Sequence, residues 1–155
     1  MSQTILAIHN LLRWGVLLFG IWTVFNAISG LVSKRAYNSN DNRSNLLFMI
    51  FCDIQLLFGL YLFFNGVNGS WWEKLKMGMK AVGSDAVYRF FIMEHAFMMI
   101  AAWILVHAGR VAVKKAAPEK KHKKMLLYFG LGLLIILISI PWPFRSVARD
   151  LFPKF

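Results

Sequence analysis

The chain has 155 residues and a formal net charge of +11, with 58% apolar and only 16% charged residues. A soluble domain carries about 25% charged residues, and the apolar residues here fall in blocks too long for a soluble core of one domain to hide. The basic residues lie in short connectors between those blocks, which excludes a nucleic-acid-binding face and fits the cytoplasmic bias of Lys and Arg in membrane proteins, where anionic headgroups attract them.

The expected fold is all-α: a four-helix transmembrane bundle with a short interfacial helix between spans two and three. The whole chain reads as a single integral membrane domain, with spans at about residues 4–32, 45–65, 88–110 and 125–140. A membrane helix needs about 20 mostly apolar residues, and lipid tolerates no open backbone. Span one has neither the basic leader nor the short core of a cleaved signal, so it is expected to be retained.

Span one places His9 roughly 8 Å from its outer start, with Arg13 one turn deeper on the same face. The first connector holds Lys34, Arg35 and Arg43. Span two brings Asp53 and Gln55 to the midplane as buried polar groups, beside the lone Cys52, which has no partner for an internal disulfide. In the second connector, Trp71, Trp72, Leu75 and Met79 share one helical face, with Lys74 and Lys76 near the other. Two readings stand for this segment: a simple interfacial anchor, or a lid over a site in the outer half of the bundle.

Span three begins at Arg89 and carries Glu94 and His95, the latter roughly 10 Å deep. His107 lies 12 residues further on, about 120° around the helix, so it does not face the way His95 does. The third connector holds Arg110, Lys114, Lys115, Lys120, Lys121, Lys123 and Lys124. His122 falls inside that run, reads as solvated, and is assigned no role. Span four stops at Pro141-Trp142-Pro143, which leaves Trp142 at an interface. Connectors one and three carry ten basic residues, against seven in connector two and the tail (Lys74, Lys76, Lys80, Arg89, Arg145, Arg149, Lys154). That difference puts connectors one and three in the cytoplasm and both termini outside.

Ionisable residues inside spans usually face the bundle interior and mark a site. His9 and His95 lie at one depth on two helices, where two imidazoles could ligate a haem iron from opposite faces. Arg89, or Arg13 by a longer reach, would balance the propionates. Glu94 would orient His95 or accept a proton. Three other readings stand beside this one. His9 and His95 are interfacial and core histidines, with Arg13 and Glu94 as a buried ion pair. Arg13, Asp53, Glu94 and His95 form a polar network that docks the chain into a larger complex. Asp53, Glu94 and His95 mark part of a proton path. No phosphate loop, paired-histidine zinc motif or hydrolase pattern is present.

Four motifs together resemble a known family. They are His9-Asn10-Leu11-Leu12-Arg13-Trp14, Asp53-Ile54-Gln55-Leu56-Leu57-Phe58-Gly59-Leu60, Arg89-Phe90-Phe91-Ile92-Met93-Glu94-His95 and Ile140-Pro141-Trp142-Pro143-Phe144. They are similar to the small four-helix membrane "cytochrome B" proteins of Bacteroidetes-type bacteria, over nearly the whole chain. The resemblance implies a haem b protein of the bacterial inner membrane, carrying electrons between quinol and an outer-side acceptor. It implies an electron carrier or accessory membrane subunit rather than a stand-alone enzyme. His9, Arg13, Gln55, Arg89, Glu94 and His95 match the family pattern, and the chain departs from it at Asp53, where many members carry His.

Overall fold

The computed structural model describes residues 1–66, 69–148 and 152. Among them the fold is all-helical: α1 (Ser2–Val32), α2 (Ser39–Phe64), α3 (Trp71–Lys76), α4 (Met79–Ser84), α5 (Ala86–Lys115) and α6 (Lys121–Ser139). The four long helices are each long and apolar enough to cross a membrane. Even the 22-residue stretch that contains α6 reaches about 33 Å at 1.5 Å per residue, against a hydrocarbon core of about 30 Å.

The ends of these helices are set by local chemistry. α2 starts six residues before the expected span, because Asn38 and Asp41 form a capping box. The Asn38 side chain accepts from the backbone N–H groups of Asn40 and Asp41, and Asp41 accepts from the Asn38 N–H at 2.9 Å. At the start of α5, the Asp85 carboxylate accepts from the N–H groups of Val87 and Tyr88 at 2.8 and 2.9 Å. α6 ends at Ser139, where Pro141 forbids continuation. Gly78, with φ +97°, makes the turn that separates α3 from α4, a left-handed conformation that glycine adopts without a Cβ clash.

The long helices pack in a ring, α1 on α2 and α6, and α5 on α6 and α2. The core runs through Val16, Phe48, Ala102, Val106, Phe129 and Ile136. Phe48 and Phe129 meet across it with ring centres 6.1 Å apart. The outward faces stay apolar and exposed, for example Leu18, Phe25, Leu57, Phe97, Ile104 and Leu134. That is the surface lipid requires, and it supplies no force to hold helices together. Close approach does this instead. A Cβ at Gly15 would run into the Phe51 ring, and one at Gly109 would sit 2.6 Å from the Tyr128 side chain.

One end of the ring holds a polar cluster that the sequence reading did not anticipate. Asp41 is fully buried and receives both guanidinium nitrogens of Arg35 at 2.7 Å. His122 Nε2 lies 3.1 Å from the same carboxylate. The assignment of His122 to a solvated run is corrected: it is 5% exposed, and glycine at position 30 leaves space for its ring. Beside it, Arg110 donates to the Asn42 side chain and carbonyl, at 2.9 and 3.1 Å, and to the Asn45 side chain. Asn45 donates to the Tyr37 hydroxyl at 2.9 Å, and Asn26 donates to Ser44 at 3.2 Å. The hydrogen bond to Asp41 holds the Arg35 guanidinium above its ordinary range, and burial raises the Tyr37 phenol.

Candidate functional site

The polar cluster fixes one end of α2 against α5, and a second bond fixes the middle: the Trp103 indole N–H donates to Asp53 at 2.6 Å. Beyond that point the ring encloses a cavity of about 570 Å³. This lies in the size range of small-molecule and cofactor sites. His9 and Arg13 from α1, Gln55 and Gly59 from α2, and His95 and Trp103 from α5 form much of its wall. Trp71, Trp72 and Leu75 of α3, with Met79, close the side nearest Phe64. The segment borders the cavity, a position compatible with either reading, anchor or lid. Trp71 stacks on Phe91 with ring centres 5.3 Å apart, and Lys74 donates to the Tyr88 hydroxyl at 3.0 Å.

The two histidines expected to share a depth do face one another, with ring centres 6.5 Å apart and planes at 70°. His95 is tightly positioned. Its Nδ1–H donates to the Ser139 carbonyl at 2.8 Å, and the Phe90 and Phe91 rings flank it at 6.0 and 5.9 Å. The helix carrying it is π-helical from Arg89 to His95, where the sequence led us to expect regular α-helix. Such a widened turn inside a helix is common at functional sites. The Gln55 amide N–H₂ donates to the His9 carbonyl at 3.0 Å, tying α2 to α1 at the cavity wall. Buried His9 Nδ1 and Gln55 Oε1 have no hydrogen-bond partner among the described residues.

Arg89 and Glu94 do not line the cavity. Glu94 is half exposed and pairs with Arg89 at 3.6 Å and Arg145 at 3.8 Å. The expectation that Glu94 orients His95 is therefore corrected: the Ser139 carbonyl holds that nitrogen. Arg89 donates to the Gly83 carbonyl at 3.3 Å, and Arg13, buried in the wall, is the cation nearest the chemistry. Asp53 is half-buried rather than buried; it accepts from the Trp103 indole, and His107 Nε2 lies 3.2 Å from the same oxygen. Of the basic tail residues counted for topology, Arg149 and Lys154 lie outside the described residues.

These residues fit a haem-like group in three respects. Two imidazoles that each reach a metal at about 2.0–2.1 Å have ring centres about 6 Å apart, close to the separation found. A metal-bound histidine almost always donates its other ring N–H to a carbonyl or carboxylate, as His95 does. The surrounding wall is apolar and aromatic, with one buried cation. The fold and this site define a multi-pass helical bundle with an internal, mostly apolar cavity. No family model matches the chain, and no curated protein or solved structure matches it.

Sequence reasoning missed the Asp41–His122 cluster. The one available signal was the Asn38-x-x-Asp41 capping pattern, which places Asp41 at a helix start. No local pattern identifies His122 as its partner.

Proposed function

We infer that this chain is a b-type haem-binding integral membrane protein that carries electrons, with His9 and His95 as the axial ligands. The observation that carries the reading is the facing pair itself, with His95 Nδ1 committed to Ser139 and Nε2 left as the nitrogen available to a metal. When bound, haem would supply a one-electron redox couple. The chain's own residues would bind and tune it. Arg13 offers positive charge to a propionate from within the wall, the role the sequence gave to Arg89 as well. α3 and its tryptophans exclude water from one side of the cavity. The apolar lining keeps the local dielectric low, which strengthens each polar contact inside.

The four motifs similar to the "cytochrome B" proteins support the same reading. The departure from that family at Asp53 falls on a residue outside the cavity wall, so it removes no ligand from the site. The basic connectors support a bacterial inner-membrane location with both termini periplasmic, and quinol or other membrane subunits as partners. The rival reading, a docking subunit held by a network of Arg13, Asp53, Glu94 and His95, has less support. Asp53, Glu94 and His95 bond in three separate places.

Absorption spectra of the purified protein test this. A Soret band that shifts on reduction, and that His9→Ala and His95→Ala each abolish, is expected. A chain expressed with ample haem that shows no Soret band in either redox state overturns the reading.

A further inference from the structure

Arg89 and Glu94 lie five residues apart on α5. In a regular α-helix that spacing turns two side chains about 140° away from each other. The π-helical segment from Arg89 to His95 has wider turns, closed by i→i+5 bonds, and brings the two onto one face. Arg89 Nε stands 3.6 Å from Glu94, and Arg145 reaches the same carboxylate from beyond the end of α6 at 3.8 Å. Arg145 is also fixed against the helices. Its guanidinium lies 4.7 Å from the centre of the Phe90 ring and donates to the Ile138 carbonyl at 2.5 Å. Both contacts to Glu94 are longer than hydrogen bonds, and a guanidinium carries five N–H donors. The two arginines are partly exposed and keep donors for a further acceptor. Next to these charges a groove of about 300 Å³ lies between α5 and α6. Met93, Phe97 and Met98 form one side and Ile138 the other. From Phe90 to Met98 it follows α5 for eight residues, roughly 12 Å.

We propose that this groove binds one anionic phospholipid of the bilayer, with its phosphodiester between Arg89 and Arg145 and one acyl chain along Met93, Phe97 and Ile138. Charge selects the ligand class. Two guanidiniums against one carboxylate leave a single positive charge, which a singly charged phosphodiester balances, and arginine matches phosphate oxygens with paired N–H donors. Position agrees. Arg89 is near the start of α5 and Arg145 follows Pro141-Trp142-Pro143, so the charges sit where the two helices leave the span. The groove's length of roughly 12 Å falls within one leaflet's share, about 15 Å, of the hydrocarbon core. Phe97 and Ile138 are 65% and 54% exposed, so a chain reaches the groove directly from the lipid. The unbranched methionine side chains adapt to an irregular occupant. A zwitterionic lipid fits less well, because its ammonium adds a positive charge that Glu94, already shared by two arginines, would have to take. The site does not use the His9–His95 pair and does not depend on haem being bound.

The test is native mass spectrometry of the full chain in detergent, with dioleoyl phosphatidylglycerol, phosphatidylcholine or phosphatidylethanolamine added in turn. Expected is one retained phosphatidylglycerol, preferred several-fold over the other two. Arg89→Gln and Arg145→Gln should each weaken that retention several-fold, Arg145→Lys should weaken it less, and Glu94→Gln should strengthen it. Ile138→Trp, which leaves every charge in place and fills the groove, should weaken it as well. Equal retention of all three lipids means ordinary boundary lipid and overturns the proposal. So does a preference for phosphatidylethanolamine that Glu94→Gln abolishes, which would make the ammonium the recognised group. Displacement of the lipid by an equal concentration of soluble glycerol phosphate would show that the acyl chain adds nothing, and overturns it too. Every arm is read with or without haem, so failure to load haem removes the cytochrome reading and leaves this one to be decided separately.

Discussion

Asp41 and His122 stand 81 residues apart in the chain and meet at 3.1 Å in the interior, the first fully buried and the second 5% exposed. Their contact joins the start of α2 to the start of α6. Arg35, from the connector between α1 and α2, completes the cluster with two bonds to the same carboxylate. A buried carboxylate satisfied this fully ties three parts of the chain to one point.

Removing the charge at that point should be costly. In Asp41→Asn, Arg35 and His122 face an amide that cannot accept what the carboxylate accepted. Breaking a buried pair by removing one partner costs about 3–5 kcal/mol. Thermal unfolding in detergent should show the loss as a lowered Tm, and a Tm equal to wild type would contradict the role given to the cluster.

A second handle lies on α1. A Cβ at Gly30 would occupy the space of the His122 ring, so Gly30→Ala must displace that ring from Asp41. Overpacking of this kind costs about 1–3 kcal/mol. The double variant Gly30→Ala with His122→Ala should recover part of the loss, because the smaller side chain makes room. Unfolding midpoints of the two variants measure that recovery.

The position of α3 at the cavity wall gives a chemical readout. Cys52 is free, 7% exposed, and lines the cavity. An apolar thiol reagent should label it slowly while Trp71 remains stacked on Phe91. Trp71→Ala removes the stack and should raise the labelling rate several-fold, as followed by mass spectrometry. Equal rates would mean that α3 does not guard the cavity.

Burial raises the Tyr37 phenol above the ordinary value of about 10. A folded-state value above the unfolded one makes a stability contribution that is complete below the unfolded value and is lost as pH rises through the folded one. Wild-type Tm should therefore fall more steeply above about pH 10 than that of Tyr37→Phe. Parallel Tm profiles from pH 8 to 11 would contradict this.

Much of the scaffold was legible because its signals are local. Hydropathy marked all four spans, Pro141 marked the end of α6, and depth counting put His9 and His95 level. The misreadings have a common cause. His122 sits among four lysines, so its neighbours in sequence suggest water while its neighbours in space are Asp41 and Tyr37. Glu94 and Arg89 share a motif with His95, yet the helix turns them outward to each other and to Arg145. The π-helical turns that carry all three leave no mark that periodicity can read.

By itself, then, the sequence determined that four apolar helices form and roughly which residues they span, because transfer of a block into lipid is a sum over consecutive residues; local caps and connectors set ends such as the start of α2 and the run of α5 to Lys115. It also set which depths carry ionisable groups. The tertiary structure alone decided which of those groups meet. Partnership depends on how far each helix is rotated about its axis and how closely its small residues let a neighbour approach. That is why His9 reaches His95 across a cavity, Asp53 takes His107, and Asp41 closes on a histidine that its own segment gives no reason to expect.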